Sequence, residues 1–228
     1  MSRTKKKKIY PIQYAFVTGI DMGIRYPIYI FNSYGNYYPI TKPYELIEYS
    51  DHFKNMIKNA KSKEERRCIK NFRDNHFDAI TTLISDNIIS YCPPFSVISV
   101  EDLNYSMDWA KVIPIKEIYS KLKNKAIKKG ISIVRVNPLN TSNTCPRCGF
   151  IDKTARDKSK HLFVCKNCNL VCNDDAIAAW NIHNRGFKMA FGREYINTIN
   201  GQKPVVFIQG NAISMESLIP DDWLKRRF

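Results

Sequence analysis

Apolar and polar positions change period several times along the chain, and each change marks an element. Ala15 to Ile20 is a short β-rich run ending at Asp21, and it predicts a strand, as does Tyr26 to Phe31. Ser33-Tyr-Gly-Asn36 predicts a turn, because Gly and Asn tolerate positive φ, and Tyr37 to Ile40 completes an antiparallel meander of three strands. From about Glu64 to Tyr91 the period becomes helical. Ile69, Phe72, Phe77, Ile80, Leu83, Ile84, Ile88 and Ile89 recur with Lys, Arg and Asp between them, until Pro93-Pro94 stops the helix. Ser96 to Val100 predicts a fourth strand, followed by Glu101. Lys116 to Lys129 predicts a basic helix closed by Gly130, and Ile131 to Val136 a fifth strand. A last helix is expected to run through Asn184, capped by Asn173 or Asp174 and ended by Gly186. Val205 to Gln209 reads as one more strand. The order β-β-β-α-β-α-β, an insertion, then α predicts an α/β fold, a mixed sheet with helices on its faces.

The insertion carries cysteines. Cys145-Pro-Arg-Cys148 and Cys165-Lys-Asn-Cys168 together have the spacing Cys-x2-Cys-x16-Cys-x2-Cys. A Cys-x2-Cys turn presents two sulfurs from one knuckle, and two knuckles complete a tetrahedral shell for one Zn²⁺. Four thiolates leave no open position, so this zinc is expected to fold the loop and take no part in chemistry. Cys172 and His161 lie close by in sequence but are expected to be bystanders, and Cys68 and Cys92 to be core or near-core residues.

Charge narrows the partner. The 228 residues carry a net charge of +15, which points to a polyanion, with nucleic acid as the default. Lys5 to Lys8 form a basic tail, Lys121, Lys125 and Lys128 load the basic helix, and Arg25, Arg147 and Arg156 are further candidates for phosphate contacts. Apolar residues make up 44%, enough for a core. No apolar run approaches the roughly 20 residues of a membrane span, and the charged start has no apolar segment behind it. Seven cysteines, four of them in Cys-x2-Cys pairs, suit a reducing interior. The chain is therefore expected to be soluble and intracellular, in the cytoplasm or nucleoid or in a nucleus, without membrane contact.

Three acids stand at element ends. Asp21 closes the first strand, Glu101 follows the fourth and Asp175 opens the last helix. If the two strands are neighbours, their carboxylates lie side by side, and a helix starting at the same edge supplies the third. Such a cluster can hold two Mg²⁺ ions, with Mn²⁺ as a substitute, one activating water and one stabilising the leaving 3′ oxygen of a phosphodiester. Asp102 is expected on the opposite face of its strand from Glu101, by the period of two, and Asp174 as a helix cap.

The motifs together resemble those of a known family. Gly19-Ile-Asp-Met-Gly23 with Arg25 resembles the first RuvC-type motif and Val100-Glu-Asp-Leu-Asn104 the second. Thr141-Ser-Asn-Thr-Cys145-Pro-Arg-Cys-Gly149, the second cysteine pair and Asp175-Ala-Ile-Ala-Ala-Trp-Asn-Ile182 resemble its zinc ribbon and third motif. The family is the TnpB (OrfB) proteins of insertion sequences, relatives of the type V CRISPR effectors and of eukaryotic Fanzor proteins, and the resemblance runs from about residue 15 to 185. It implies a ribonuclease H-like (RuvC-type) fold with Asp21, Glu101 and Asp175 on the catalytic metals, and DNA cleavage aimed by a guide RNA. It divides the chain into a basic tail (1–14), a nuclease core (15–140), an inserted zinc ribbon (141–172), the last catalytic helix (173–186) and a C-terminal extension (187–228). Two positions after its third acid the family carries Asn, where this chain has Ile177. Only the short basic tail precedes the first strand, where the family carries its recognition domains, so three expectations stand: a second protein supplies recognition, or recognition is lost and leaves a structure-selective nuclease, or the chain is a domesticated remnant with another role. The competing expectation is a protein that binds nucleic acid, or docks on a larger machine, through the ribbon and basic surface without cutting.

Overall fold

The computed structural model describes residues 16–23, 28–33, 35–40, 45–103, 114–191, 205–208 and 211–214. The basic tail and Arg25 lie outside them. The first strand, β1 (Val17–Asp21), pairs antiparallel with β2 (Tyr29–Asn32), which pairs antiparallel with β3 (Tyr37–Pro39). Two helices come next, α1 (Glu45–Asn59) and α2 (Lys63–Ser90), and the chain returns as β4 (Val97–Glu101) parallel to β1. Helix α3 (Ile115–Lys128) then crosses to β5 (Ser132–Val136), parallel to β4. The spatial order is β3-β2-β1-β4-β5, a mixed sheet. A separate three-stranded antiparallel sheet of β6 (Arg156–Asp157), β7 (Leu162–Val164) and β8 (Val171–Asn173) precedes α4 (Asp174–Phe191). Strands β9 (Val205–Ile208) and β10 (Asn211–Ser214) form an antiparallel pair of their own.

Alternation along the strands builds two cores. Ile20, Ile30, Ile98 and Val100 face α2 and α3, where Ile84, Ile88, Ile115, Ile118 and Leu122 bury against them. Val17, Phe31 and Val97 point the other way, toward Ala176, Ile177, Ala179, Trp180 and Phe187 of α4. The sheet thus has helices on both faces. Trp180 stacks on Phe31 at 5.0 Å between ring centres.

Helix α4 lies unusually close to the strands, and two glycines are the reason. A Cβ on Gly19 would stand 2.4 Å from the Ala179 carbonyl oxygen and 2.5 Å from the His183 nitrogen. One on Gly186 would stand 2.2 Å from Ser99 Oγ and 2.3 Å from Ser99 Cβ. Ser99 Oγ donates across this contact to the Ile182 carbonyl at 2.8 Å. Burial drives the His183 imidazole down to a pKa of about 4, so it meets Ser33 Oγ, 2.9 Å from Nε2, as a neutral ring.

Several expectations need correction. Gly186 does not end the last helix, which runs on to Phe191; its missing side chain serves packing against Ser99 and leaves the helix unbroken. Helix α1 is an addition to the expected order; it packs on α2, mainly through buried Phe53, which meets Phe72 and Phe77. Phe72 is 65% exposed because the buried stripe of α2 begins only at Thr81, and Leu83 is 69% exposed because it faces away from the stripe of Thr81, Ile84, Ser85 and Ile88. Cys92 is buried as expected, but Cys68 is exposed on the outer half of α2.

Candidate functional site

The strand period decides where the acids go. Asp21 is two positions beyond Gly19 and Glu101 two beyond Ser99, so both carboxylates fall on the face of the sheet that touches α4. β1 and β4 are adjacent and parallel, so their C-terminal ends lie at one edge. Helix α4 begins there. Its cap is Asn173, whose Oδ1 accepts from the Asp175 and Ala176 amides at 2.9 and 3.1 Å. Asp175 in the first turn therefore meets the two strand-end acids, with the helix dipole favouring its negative charge.

The electrostatics register this convergence. Burial raises the Asp21 carboxyl well above its ordinary range, and the neighbouring Glu101 and Asp175 carboxylates raise it further; Arg156 partly offsets them, and Asp174 adds to them. Burial also raises Glu101, against the Thr141 hydroxyl and Arg185, which favour its charged form. Asp21 thus feels both other carboxylates, and all three are hard oxygen donors of the kind that suits a divalent cation; Asp175 also groups with Asp174 and His161, the ligand atoms of those three lying within 4.8 Å of one another.

Thr141 and Asn181 tie this cluster to the cysteine module. Thr141 Oγ1 donates to Glu101 Oε1 at 2.5 Å. Asn181 of α4 holds the same loop, donating through Nδ2 to the Thr141 and Thr144 carbonyls, both at 2.7 Å. Both residues lie within the motifs quoted from the sequence. Their roles are not legible there, because each partner is remote along the chain.

Cys145, Cys148, Cys165 and Cys168 gather in one cluster. Cys145 Sγ lies 3.5 Å from Cys168 Sγ, and Cys148 Sγ 3.6 Å from Cys165 Sγ. Sulfurs bound tetrahedrally at the usual Zn–S length of about 2.3 Å would be about 3.8 Å apart. The two knuckles are built alike. The Cys145 and Cys165 amides donate to the Phe150 and Leu170 carbonyls, and the Gly149 and Asn169 amides donate back to the two cysteine carbonyls, at 2.8 to 2.9 Å. Each knuckle closes on a residue of positive φ, 75° at Gly149 and 54° at Asn169. The cluster is thus fit for one structural Zn²⁺. Cys172 lies apart from it on β8, and His161 stands near the acids, its Nδ1 3.7 Å from Asp174 Oδ1.

The remaining candidates divide. Asp102 lies on the opposite face, as the period of two predicts, bound by Arg135 at 3.1 Å. Asp174 is a departure: Asn173 does the capping, while Asp174 is wholly buried and takes Arg156 Nε and Nη2 at 3.2 and 2.8 Å. Arg156 is accordingly turned inward, with Nη2 3.7 Å from Asp175 Oδ1. Lys121 and Lys125 are engaged by α2: Lys121 Nζ reaches Asp78 Oδ1 and Thr82 Oγ1 at 2.6 and 2.7 Å, and Lys125 Nζ reaches Asp86 Oδ1 at 2.6 Å. Their position clamps two helices together, and a phosphate contact from either would have to break that clamp. Lys128 and Arg147 are exposed. Beside the acids, a groove of about 650 Å³ runs between the loop after β5 and the cysteine module, lined by Asn140, Ser142, Asn143, Lys153, Arg156 and Lys158 among others. No helix among the described residues is long and apolar enough to cross a membrane.

The family described as Cas12f1-like, TNB domain matches residues 116–182. A CRISPR-associated endodeoxyribonuclease Cas12f1 of Syntrophomonas palmitatica is 35% identical over 103 residues, 43% of this chain and 20% of that protein. The chain thus spans about a fifth of that relative's length. A TnpB-like protein of Aquifex aeolicus is 33% identical over 69 residues, 30% of this chain and 22% of that protein. MJ0856.1 of Methanocaldococcus jannaschii, a transposase by its provisional name, is 30% identical over 79 residues, 32% of this chain and 72% of that protein. Among solved structures, a Cas12f1–sgRNA–target DNA complex superposes with a TM-score of 0.58 at 21% identity, covering 75% of this chain and 50% of that one, which speaks to the fold. The chain belongs to the TnpB-type family of transposon-associated proteins, alongside the Cas12f1 proteins.

Proposed function

We propose that the chain is a metal-dependent endonuclease that hydrolyses DNA phosphodiester bonds, its α/β core being a ribonuclease H-like, RuvC-type domain and its cysteine module a zinc ribbon. The observation that carries this reading is the repulsion that Asp21 feels from both Glu101 and Asp175, the three coming from two adjacent parallel strands and the start of one helix. In this reading residues 15–140 and 173–186 form the core, 141–172 the ribbon, and 187–228 an extension.

Asp21, Glu101 and Asp175 would hold two Mg²⁺ ions, for which Mn²⁺ substitutes. When bound, the ions supply a water nucleophile at neutral pH and charge stabilisation for the leaving 3′ oxygen. The protein's own part is to place the carboxylates. Ser99, Gly19 and Gly186 set the height of α4 above the sheet, and Thr141 fixes the Glu101 carboxylate. The groove carrying Lys153 and Lys158 would receive the phosphate backbone and lead it past the acids. Guidance by an RNA belongs to the same proposal, and it is supported by the likeness to a Cas12f1 protein seen with sgRNA and target DNA.

The test is purification from the native host with any bound RNA and protein, followed by cleavage assays with Mg²⁺ or Mn²⁺ on single-stranded, duplex and branched DNA. Cleavage that disappears in Asp175→Ala, with zinc content and melting temperature retained, is the expected result. A zinc-loaded, folded preparation that cuts none of these substrates would overturn it and favour a protein that only binds.

A further inference from the structure

Beside the three acids of the proposed cluster stands a cation, the Arg156 guanidinium. It is held in from the ribbon side by a short segment. Ala155 is buried in the core shared with the cysteines, and Arg156 pairs with Phe163 across β6 and β7. The side chain is 16% exposed. Two acids lie within its reach. Nη2 is 2.8 Å from Asp174 Oδ2 and 3.7 Å from Asp175 Oδ1, so the guanidinium spends its direct bonds on Asp174 and only brushes Asp175.

Asp174 is placed to hold it there. Its amide donates to the His161 carbonyl at 3.2 Å, Asn173 pairs with Leu162 across β7 and β8, and its side chain is fully buried. A carboxylate so enclosed needs a charged partner, and one with a fork of donors suits it well. His161 faces its other oxygen. Without the Asp174 charge, Asp175 becomes the acid next to a guanidinium that the ribbon prevents from retreating. A cation bonded to Asp175 would then compete with Arg156 for the same oxygen.

We propose that Asp174 is a positioning residue that parks the Arg156 guanidinium off Asp175, and thereby sets how tightly the carboxylate cluster takes a divalent cation. This rests on the reading of Asp21, Glu101 and Asp175 as metal ligands. It also assigns the zinc ribbon a second task. The ribbon carries an arginine whose position tunes the neighbouring centre.

The test is Mn²⁺ binding, read by water-proton relaxation on the zinc-loaded full chain, with zinc stoichiometry and melting temperature measured alongside. A guanidinium moved onto a carboxylate lowers its proton affinity by about one to three pKa units, so Asp174→Asn should weaken Mn²⁺ binding by about tenfold or more. Adding Arg156→Gln to that variant should restore binding to near the wild-type level, which a merely structural role of Asp174 would not allow. Wild-type affinity in Asp174→Asn, or a double variant as weak as the single, overturns the proposal. If Asp174→Asn does not fold, Arg156→Gln alone decides. It should bind Mn²⁺ several-fold more tightly than wild type, and unchanged or weaker binding refutes the parking role. The two layers separate cleanly. A wild-type chain that takes no Mn²⁺, or Asp175→Ala binding it normally, removes the cluster reading and this role with it. Wild-type binding that is lost in Asp175→Ala, beside an indifferent Asp174→Asn, removes the parking role alone.

Discussion

Replacing Gly186 by Ala reverses a familiar rule. In the interior of a helix the exchange stabilises by about 0.8–1 kcal/mol, because Ala costs less backbone entropy. At Gly186 the added carbon would fall 2.2 Å from Ser99 Oγ and 2.3 Å from Ser99 Cβ, with Val134 Cγ2 at 3.4 Å. The first two distances are far inside van der Waals contact, and Ser99 sits on a central strand that cannot yield. Overpacking of this kind costs about 1–3 kcal/mol. Helix α4 lifting from β4 would also stretch the Ser99–Ile182 bond, which contributes about 1 kcal/mol. The net expectation is a loss of about 1–3 kcal/mol, or roughly 2–12 °C in melting temperature for a chain of this size. Urea denaturation and thermal melting of Gly186→Ala, Ser99→Gly and the double variant measure it. The double variant should be more stable than the sum of the singles predicts, because removing the Ser99 Cβ opens the space that Ala occupies. A Gly186→Ala protein as stable as wild type, or a strictly additive cycle, would refute the close contact and with it the account of how Asp175 is held over the strand-end acids.

Asp21 carries a pH signature. Its proton affinity is raised in the fold, so its stabilising influence is full at low pH and is lost as pH rises through the raised value. In metal-free buffer Asp21→Asn should therefore raise the melting temperature at about pH 7–8, a gain that fades as pH falls toward the ordinary carboxylate value of about 4. An equal gain at both ends of that range contradicts the assignment. Cys148→Ser should lower bound zinc from one ion to none per chain and open the 141–172 segment to protease while the core strands keep their hydrogen-exchange protection; unchanged zinc content refutes the four-cysteine shell. Lys121→Met should cost about 1 kcal/mol in stability and leave the salt dependence of DNA binding intact, whereas Lys158→Met in the groove should lower the slope of log K against log[salt] by about one. A slope change at Lys121 with none at Lys158 would move the binding surface to the α2–α3 side.

Those expectations depend on features that the sequence discloses unevenly. Asp21 and Glu101 are legible because a period of two and a strand end place a side chain with little ambiguity, and because β1 and β4 are β-rich runs bounded by turn signals. The knuckles are legible because metal spacing is local. Arg156 and Asp174 are not, since an ion pair between separate elements leaves no local pattern, and Asp174 looks like a cap beside Asn173, which is the cap. Gly186 misleads because the same residue that ends helices also permits close packing, and only the presence of Ser99 opposite distinguishes the two. Lys121 and Lys125 read as free charge because the acids they engage, Asp78 and Asp86, sit on another helix much earlier in the chain. Helix α1 stays hidden because its pattern is completed by α2 and not by the sheet.

The bonds from Asn181 to the Thr141 and Thr144 carbonyls close one end of the cysteine module, and the pairing of Leu162 with Asn173 closes the other. Between those two fastenings the chain behaves as a cassette. Its outer turns can drift or be trimmed without shifting the acids as long as Ala155, Arg156 and Phe163 keep their places against the core, because these and the junctions carry the register. Variation among relatives should accordingly gather at the outer turns around Lys153 and Lys158, and an engineer seeking a new nucleic-acid preference has there a replaceable part on a fixed frame.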